Sequence, residues 1–181
     1  MPPSESTSKL EIAVFCPYFL GGGAEAVCLW ILQALIERYS VTLYTLTGLD
    51  LVKMNRMYDT NLPTEKLKVV SLFSRKWELI IYSLMANNTA CKNFFVHLII
   101  KRIKQECHNY AACFSAFNAV DMGRPSLQYL HYIGVIDNKT QFYKLSDFSE
   151  ARLRENTSLA NSGYVAKLAE AEYGSPAAVV Y

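Results

Sequence analysis

Two hydrophobic rhythms alternate along the chain. Short apolar runs bounded by Gly, Pro or polar residues are separated by longer stretches free of both breakers. The first run, EIAVFC at 11–16, is closed by Pro17, and its length and apolarity suit a strand buried in a parallel sheet. A glycine loop follows, then AEAVCLWILQALIER at 24–38. This stretch is apolar on nearly every side, which predicts a helix packed between layers. VTLYTL at 41–46 alternates and is β-branched, predicting a second strand. LKVVSL (67–72), YAACFSA (110–116), SLQYLH (126–131) and TSLAN (157–161) predict four more, and AAVVY (177–181) opens another. Helical stretches lie at 77–85 and 89–105. Asn161 or Ser162 can cap a further helix, which Gly174 ends and Pro176 keeps from continuing. Residues 48–63 show no clear period. Strands alternating with helices at these lengths predict an α/β fold, a parallel sheet with helices on both faces.

Composition narrows the classes. The 181 residues suit one domain, expected over 10–181, and 51% are apolar, enough for a sizeable core. Residues 1–9 lack an apolar segment, so a disordered leader is expected rather than a signal peptide. No run reaches the roughly 18 apolar residues of a membrane-spanning helix. Net charge is +2, from 18 basic and 16 acidic residues, without the basic excess of a nucleic-acid binder. Cys16, Cys28, Cys91, Cys107 and Cys113 are odd in number and contain no C-x-x-C pair. That disfavours a disulfide framework or a zinc knuckle, and the chain reads as cytoplasmic. Cys107 beside His108 is read as a buried small residue rather than a metal ligand. Sequons begin at Asn87, Asn138 and Asn156 and are read as chance matches.

Candidate chemistry concentrates in the first strand-to-helix loop. In an open parallel sheet, ligands bind beyond the carboxyl ends of the strands. Gly21, Gly22 and Gly23 lie there, without Cβ atoms to keep an anion from their backbone N–H groups. The helix behind them adds its positive end, so a diphosphate or a sugar is the expected guest. Gly21-x-Gly23-x-x-Ala26 also matches the dinucleotide fingerprint. Pro17 to Leu20 separate the strand from the first glycine, however, and Thr45 and Thr47 stand where that fingerprint needs an acidic residue. No G-K-[ST] follows, which excludes a Walker loop.

Three segments resemble one family. CPYFLGGGAEAVCLW (16–30) resembles the opening strand, glycine-rich loop and Glu-led helix of the retaining glycosyltransferases of family four. FNAVDMGRPSLQYLHY (117–132) resembles the Gly-x-Pro-x-x-x-Tyr-x-His-Tyr segment of the asparagine-linked-glycosylation mannosyltransferase branch, and residues 159–181 are similar to its Asn-Ser helix. The resemblance implies one Rossmann-like half of a two-domain GT-B architecture, the amino-terminal, acceptor-side half. It implies transfer of a sugar from a nucleotide-sugar, with retained configuration and no cofactor or metal. His131 is then the catalytic-site residue, a hydrogen-bonding partner by the reacting sugar, and Gly21–Gly23 line the donor diphosphate and sugar. Glu25 positions the loop, and Asn161 and Ser162 support it or only cap their helix. Without the family, His131 reads as a core histidine beside Tyr129 and Tyr132.

The paired glutamates of the family's donor-binding half have no counterpart here. The chain is therefore expected to be truncated or one part of a split enzyme, inactive alone because nothing clamps the leaving diphosphate. Expected partners are a nucleotide-sugar donor, a glycan or lipid-linked acceptor, and a separate carboxyl-terminal half. CKNFFVHLIIKRIKQ (91–105) mixes apolar and basic residues, so a peripheral contact at the inner membrane face is weighed against a core helix with a solvated basic end. Two other functions stay open: a non-catalytic α/β binding module, and a nucleotide-cofactor oxidoreductase domain, which the loop length disfavours.

Overall fold

The computed structural model describes residues 9–133 and 142–180; the expectations for residues 1–8, Asn138 and Tyr181 lie outside them. Lys9, assigned above to the leader, donates to the carbonyls of Ile36 (3.0 Å) and Glu37 (2.7 Å). A cation at a helix carboxyl end meets the negative pole of the dipole.

Among the described residues, seven strands form one sheet: β1 (Glu11–Phe15), β2 (Ser40–Thr47), β3 (Leu67–Phe73), β4 (Ala112–Ser115), β5 (Leu127–Leu130), β6 (Thr157–Ala160) and β7 (Ala177–Val179). Their order is β3-β2-β1-β4-β5-β6-β7, and every pairing is parallel. The helices are α1 (Gly23–Ile36), α2 (Leu51–Tyr58), α3 (Glu78–Asn87), α4 (Thr89–Glu106), α5 (Tyr143–Ser146), α6 (Glu150–Arg154) and α7 (Gly163–Tyr173). The fold is the expected Rossmann-like α/β sheet flanked by helices.

β1 is apolar throughout because both its sides are buried. Ala13 and Phe15 join α4 and α7 in one core, with Ile99, Ile100, Ile103, Val165 and Ala169. Ile12 and Val14 join α1 and α2 in the other, with Cys28, Leu29, Leu32, Leu51 and Met54. The unassigned stretch at 48–63 contains α2. Asp50 starts it by accepting from the Lys53 amide at 3.0 Å, and Asp59 ends it in the left-handed region at φ 52°.

One expectation is corrected. α1 is not enclosed between layers: Trp30 is 49% exposed. Its outer side, with Val27, Trp30 and Ile31, faces an open cavity of about 790 Å3 floored by Phe114, Leu127, Tyr129 and Leu159. The cause is the β4–β5 connection at 116–126, which contains no helix to cover that part of the sheet. Of the two readings weighed for 91–105, the core helix with a solvated basic end is the one seen: α4 turns Val96, Ile99, Ile100 and Ile103 into the core. Its apolar side is thus used in packing, and Lys101 and Arg102 are its solvated end.

The β4–β5 connection is itself buried from Ala116 to Met122, so its polar backbone needs partners. Asn156 donates to the Val120 carbonyl (2.9 Å) and to Gln128 Oε1 (2.8 Å), and accepts from the Ser126 amide (3.0 Å). Asp121, 1% exposed, accepts from Lys104, Arg152 and the amides of Gly123 and Ser149. Asn156 is 4% exposed, so its sequon is closed to glycosylation.

Candidate functional site

Chain order reverses at β1, with β2 on one side and β4 on the other. Such a reversal opens a crevice at the carboxyl edge of the sheet, because the adjoining loops leave in opposite directions. The loops after β1 and β4 flank that crevice, and the residue after β5 borders it.

After β1 the chain runs to the glycine bend. Gly21 has φ +96°, where a side chain is strained, so glycine is required there. Gly22 caps α1 without a side chain of its own, and Glu25 in the first turn folds back toward it. Glu25 Oε1 accepts from the Leu20 amide at 3.4 Å. Its Oε2 lies 2.7 Å from where a Cβ on Gly22 would stand, so the glycine makes room for the carboxylate. Gly21, Gly22 and Gly23 are exposed, and nothing lies within 4 Å of a Cβ built on Gly23. The bend is open and sits at the carboxyl rim.

Glu25 is only 5% exposed, and its Oε2 has no hydrogen-bond partner. Tyr58, at the end of α2, brings its hydroxyl to 4.0 Å from the Cβ position of Gly21; that oxygen is also buried and unpartnered. Burial is the main upward push on the Cys16, Tyr18 and Tyr58 pKa values, and the Glu25 charge adds to each. Tyr82 of α3 supports the loop: its hydroxyl accepts from the Phe19 amide (3.3 Å) and bonds Thr47 Oγ1 (2.9 Å).

Across the reversal, Asn118 adopts φ 52°, a left-handed conformation that asparagine tolerates. Its Oδ1 accepts from the amides of His131 (2.9 Å) and Tyr132 (3.2 Å), while its buried Nδ2 has no partner. His131 Nε2 donates to the Ala116 carbonyl at 3.1 Å. Burial lowers the His131 pKa, against the opposing pull of that bond and of Glu25. The ring is therefore neutral near pH 7, with its proton on Nε2 and Nδ1 left as an acceptor.

Asn161 and Ser162 have separate tasks. Ser162 caps α7, its hydroxyl accepting from the Val165 amide at 3.2 Å. Asn161 does not cap; its Nδ2 donates to the His131 carbonyl at 3.0 Å and ties β6 to the end of β5. Tyr58 and Asn118 escape the sequence reading. Tyr58 lies in the stretch without a period, and only the asparagine in a strand-to-strand connection hints at Asn118. Among the described residues no group of three or more His, Cys, Asp or Glu could hold a metal ion. None of their helices is long and apolar enough to cross a membrane.

No known protein-family profile matches the sequence, and no curated protein does. Solved structures do. HepE of Anabaena, crystallised in complex with UDP and glucose, is similar with a TM-score of 0.50 and 17% identity, over 95% of this chain and 44% of that one. A second structure of HepE, with UDP, gives 0.46 and 16% over the same shares. The chain thus spans less than half the length of that protein. At this identity the likeness is one of fold, a Rossmann-like parallel sheet flanked by helices.

Proposed function

We propose that the chain serves as the acceptor-side half of a GT-B glycosyltransferase, of the retaining family-four type and in the line of the asparagine-linked-glycosylation mannosyltransferases. A sugar passes from a nucleotide-sugar to a glycan or lipid-linked acceptor, without a cofactor or metal. The observation that carries this reading is the open Gly21–Gly23 bend at the carboxyl rim, beside the reversal between β1 and β4. The UDP and glucose bound by HepE, a protein of similar fold, support it. His131 presents Nδ1 as an acceptor to a hydroxyl of the reacting sugar. Asn161 and Asn118 hold the backbone of His131 from two sides. A second half, on the same or a separate chain, clamps the nucleotide. Peripheral membrane contact falls to the exposed Trp77, which precedes α3, and to Leu79, Ile80 and Leu84 of α3 rather than to α4.

The test is transfer from UDP- and GDP-sugars by the chain alone and fused to a donor-binding half. Turnover is expected only in the fusion, and His131→Ala should lower it by about a hundredfold, the range of one positioned polar group. Ordinary turnover by the chain alone, or full activity in the His131→Ala fusion, would overturn the assignment.

A further inference from the structure

One short turn after β4 grips a single histidine at the end of β5. Asn118 closes that turn: its amide donates to the Tyr129 carbonyl at 3.0 Å, and its own carbonyl accepts from Ser115 Oγ at 2.8 Å. The residue is 2% exposed, and its Oδ1 takes the amides of both His131 (2.9 Å) and Tyr132 (3.2 Å), just past the last residue of β5. Two residues before Asn118, the Ala116 carbonyl receives His131 Nε2 at 3.1 Å. Main chain and ring of His131 are thus held by the same turn. A carbonyl only accepts, so the neutral ring carries its proton on Nε2. Among the described residues nothing bonds Nδ1, which is the remaining lone pair of the ring.

We infer that Asn118 is a positioning residue that sets the tautomer of His131: by fixing the His131 main chain to the β4–β5 turn, it keeps the ring on the Ala116 carbonyl with Nε2 protonated. The inference rests on the glycosyltransferase reading only for the use of Nδ1, which there accepts from a sugar hydroxyl. Asn118 acts through His131 and not on the sugar. Two features suit asparagine to this task. It tolerates the left-handed backbone at φ 52°. Its amide oxygen accepts two N–H bonds without bringing a charge beside the ring. A histidine released from this hold can carry its proton on either nitrogen, or on both, and then offers a donor where the proposed reaction needs an acceptor.

The experiment follows the ring nitrogens of His131 by long-range proton–nitrogen NMR of the isotopically labelled chain, first at about pH 8, where the ring is neutral, and then through a pH titration. The wild-type ring should show Nε2 protonated, Nδ1 bare and a pKa below 6.5. Asn118→Gly allows the left-handed backbone but removes Oδ1. It should move the signature toward a mixture of tautomers and raise the pKa toward 6.5. Asn118→Asp supplies the acceptor oxygen again and should restore the Nε2-protonated form. Ser149→Ala removes the cap of α6 and bonds neither Asn118 nor His131, so it should leave the signature as in wild type. Well-dispersed spectra establish that each variant is folded. In the fusion, Asn118→Gly should lower kcat about tenfold with KM for the nucleotide-sugar nearly unchanged, since the ring is present but misplaced. A bare Nε2 in the wild type, a wild-type signature in Asn118→Gly, no recovery in Asn118→Asp, or an equal shift in Ser149→Ala would each overturn the inference. The tautomer is read without turnover. A fusion that transfers nothing therefore defeats the proposed function and leaves the tautomer result standing, and an active fusion does not rescue a tautomer that ignores Asn118.

Discussion

Two buried carboxylates lie on either side of the chain reversal, and their surroundings differ sharply. Asp121 is saturated: Lys104 Nζ at 2.6 Å, Arg152 Nε at 3.2 Å, and the amides of Ser149 at 2.7 Å and Gly123 at 2.9 Å. Glu25 has one long bond from an amide and one oxygen with none. Both are nearly inaccessible, so burial alone does not separate them. Satisfaction does. A carboxylate whose lone pairs are all taken within the fold holds loops together, whereas one left incomplete carries an unmet acceptor.

The largest expected break in this comparison is Asp121→Ala. It leaves Lys104 and Arg152 with only their bonds to Asp147 and frees two amides, so it should cost about 3 kcal/mol, read as a lower urea midpoint. A smaller loss would mean that the connection is held mainly by Asn156.

Acid provides the next contrast, through His97, which is fully buried and bonded to Ser146 Oγ at 2.7 Å. Burial, with Lys104 adding to it, pushes the His97 pKa down from 6.5 to about 4. The unfolded chain therefore binds this proton first. Stability should fall by about 3 kcal/mol as pH drops from 6.5 to 4, and His97→Gln should flatten that slope. Asp121 acts at lower pH. Burial raises its pKa, but the bonds from Lys104, Arg152 and Gly123 outweigh that, and the net shift is downward from 3.8. Its contribution is complete above the unfolded value and is lost only as pH falls through the lower folded one. Unfolding midpoints measured against pH in His97→Gln and Asp121→Asn would separate the two windows; parallel profiles would refute the assignment.

The smallest stability effect belongs to Glu25→Gln, below about 1 kcal/mol, because the change removes little beyond a favourable charge at a helix start. A cost approaching that of Asp121→Ala would make Glu25 structural and erase the contrast.

Much of this architecture can be read from the chain itself. Apolar runs identify the seven strands, most clearly β1, which is buried on both faces, and the three glycines mark the bend because few other residues could make it. The outer side of α1 could not be read, since helical period does not tell a neighbouring layer from an open cavity. Tyr58 is hidden because α2 mixes polar and apolar residues. The partners of Asp121 are invisible for another reason: they lie 17, 28 and 31 residues away, and no local pattern predicts such meetings.

The helix-free passage from β4 to β5 also bears on the order of folding. Its carbonyl at Val120 and its exit at Ser126 are held by Asn156, 36 and 30 residues further along. The passage cannot reach its final shape until the segment leading into β6 has arrived. Docking of β5 and β6 is thereby coupled to the shape of that passage, so strand pairing and loop ordering occur as one step rather than two.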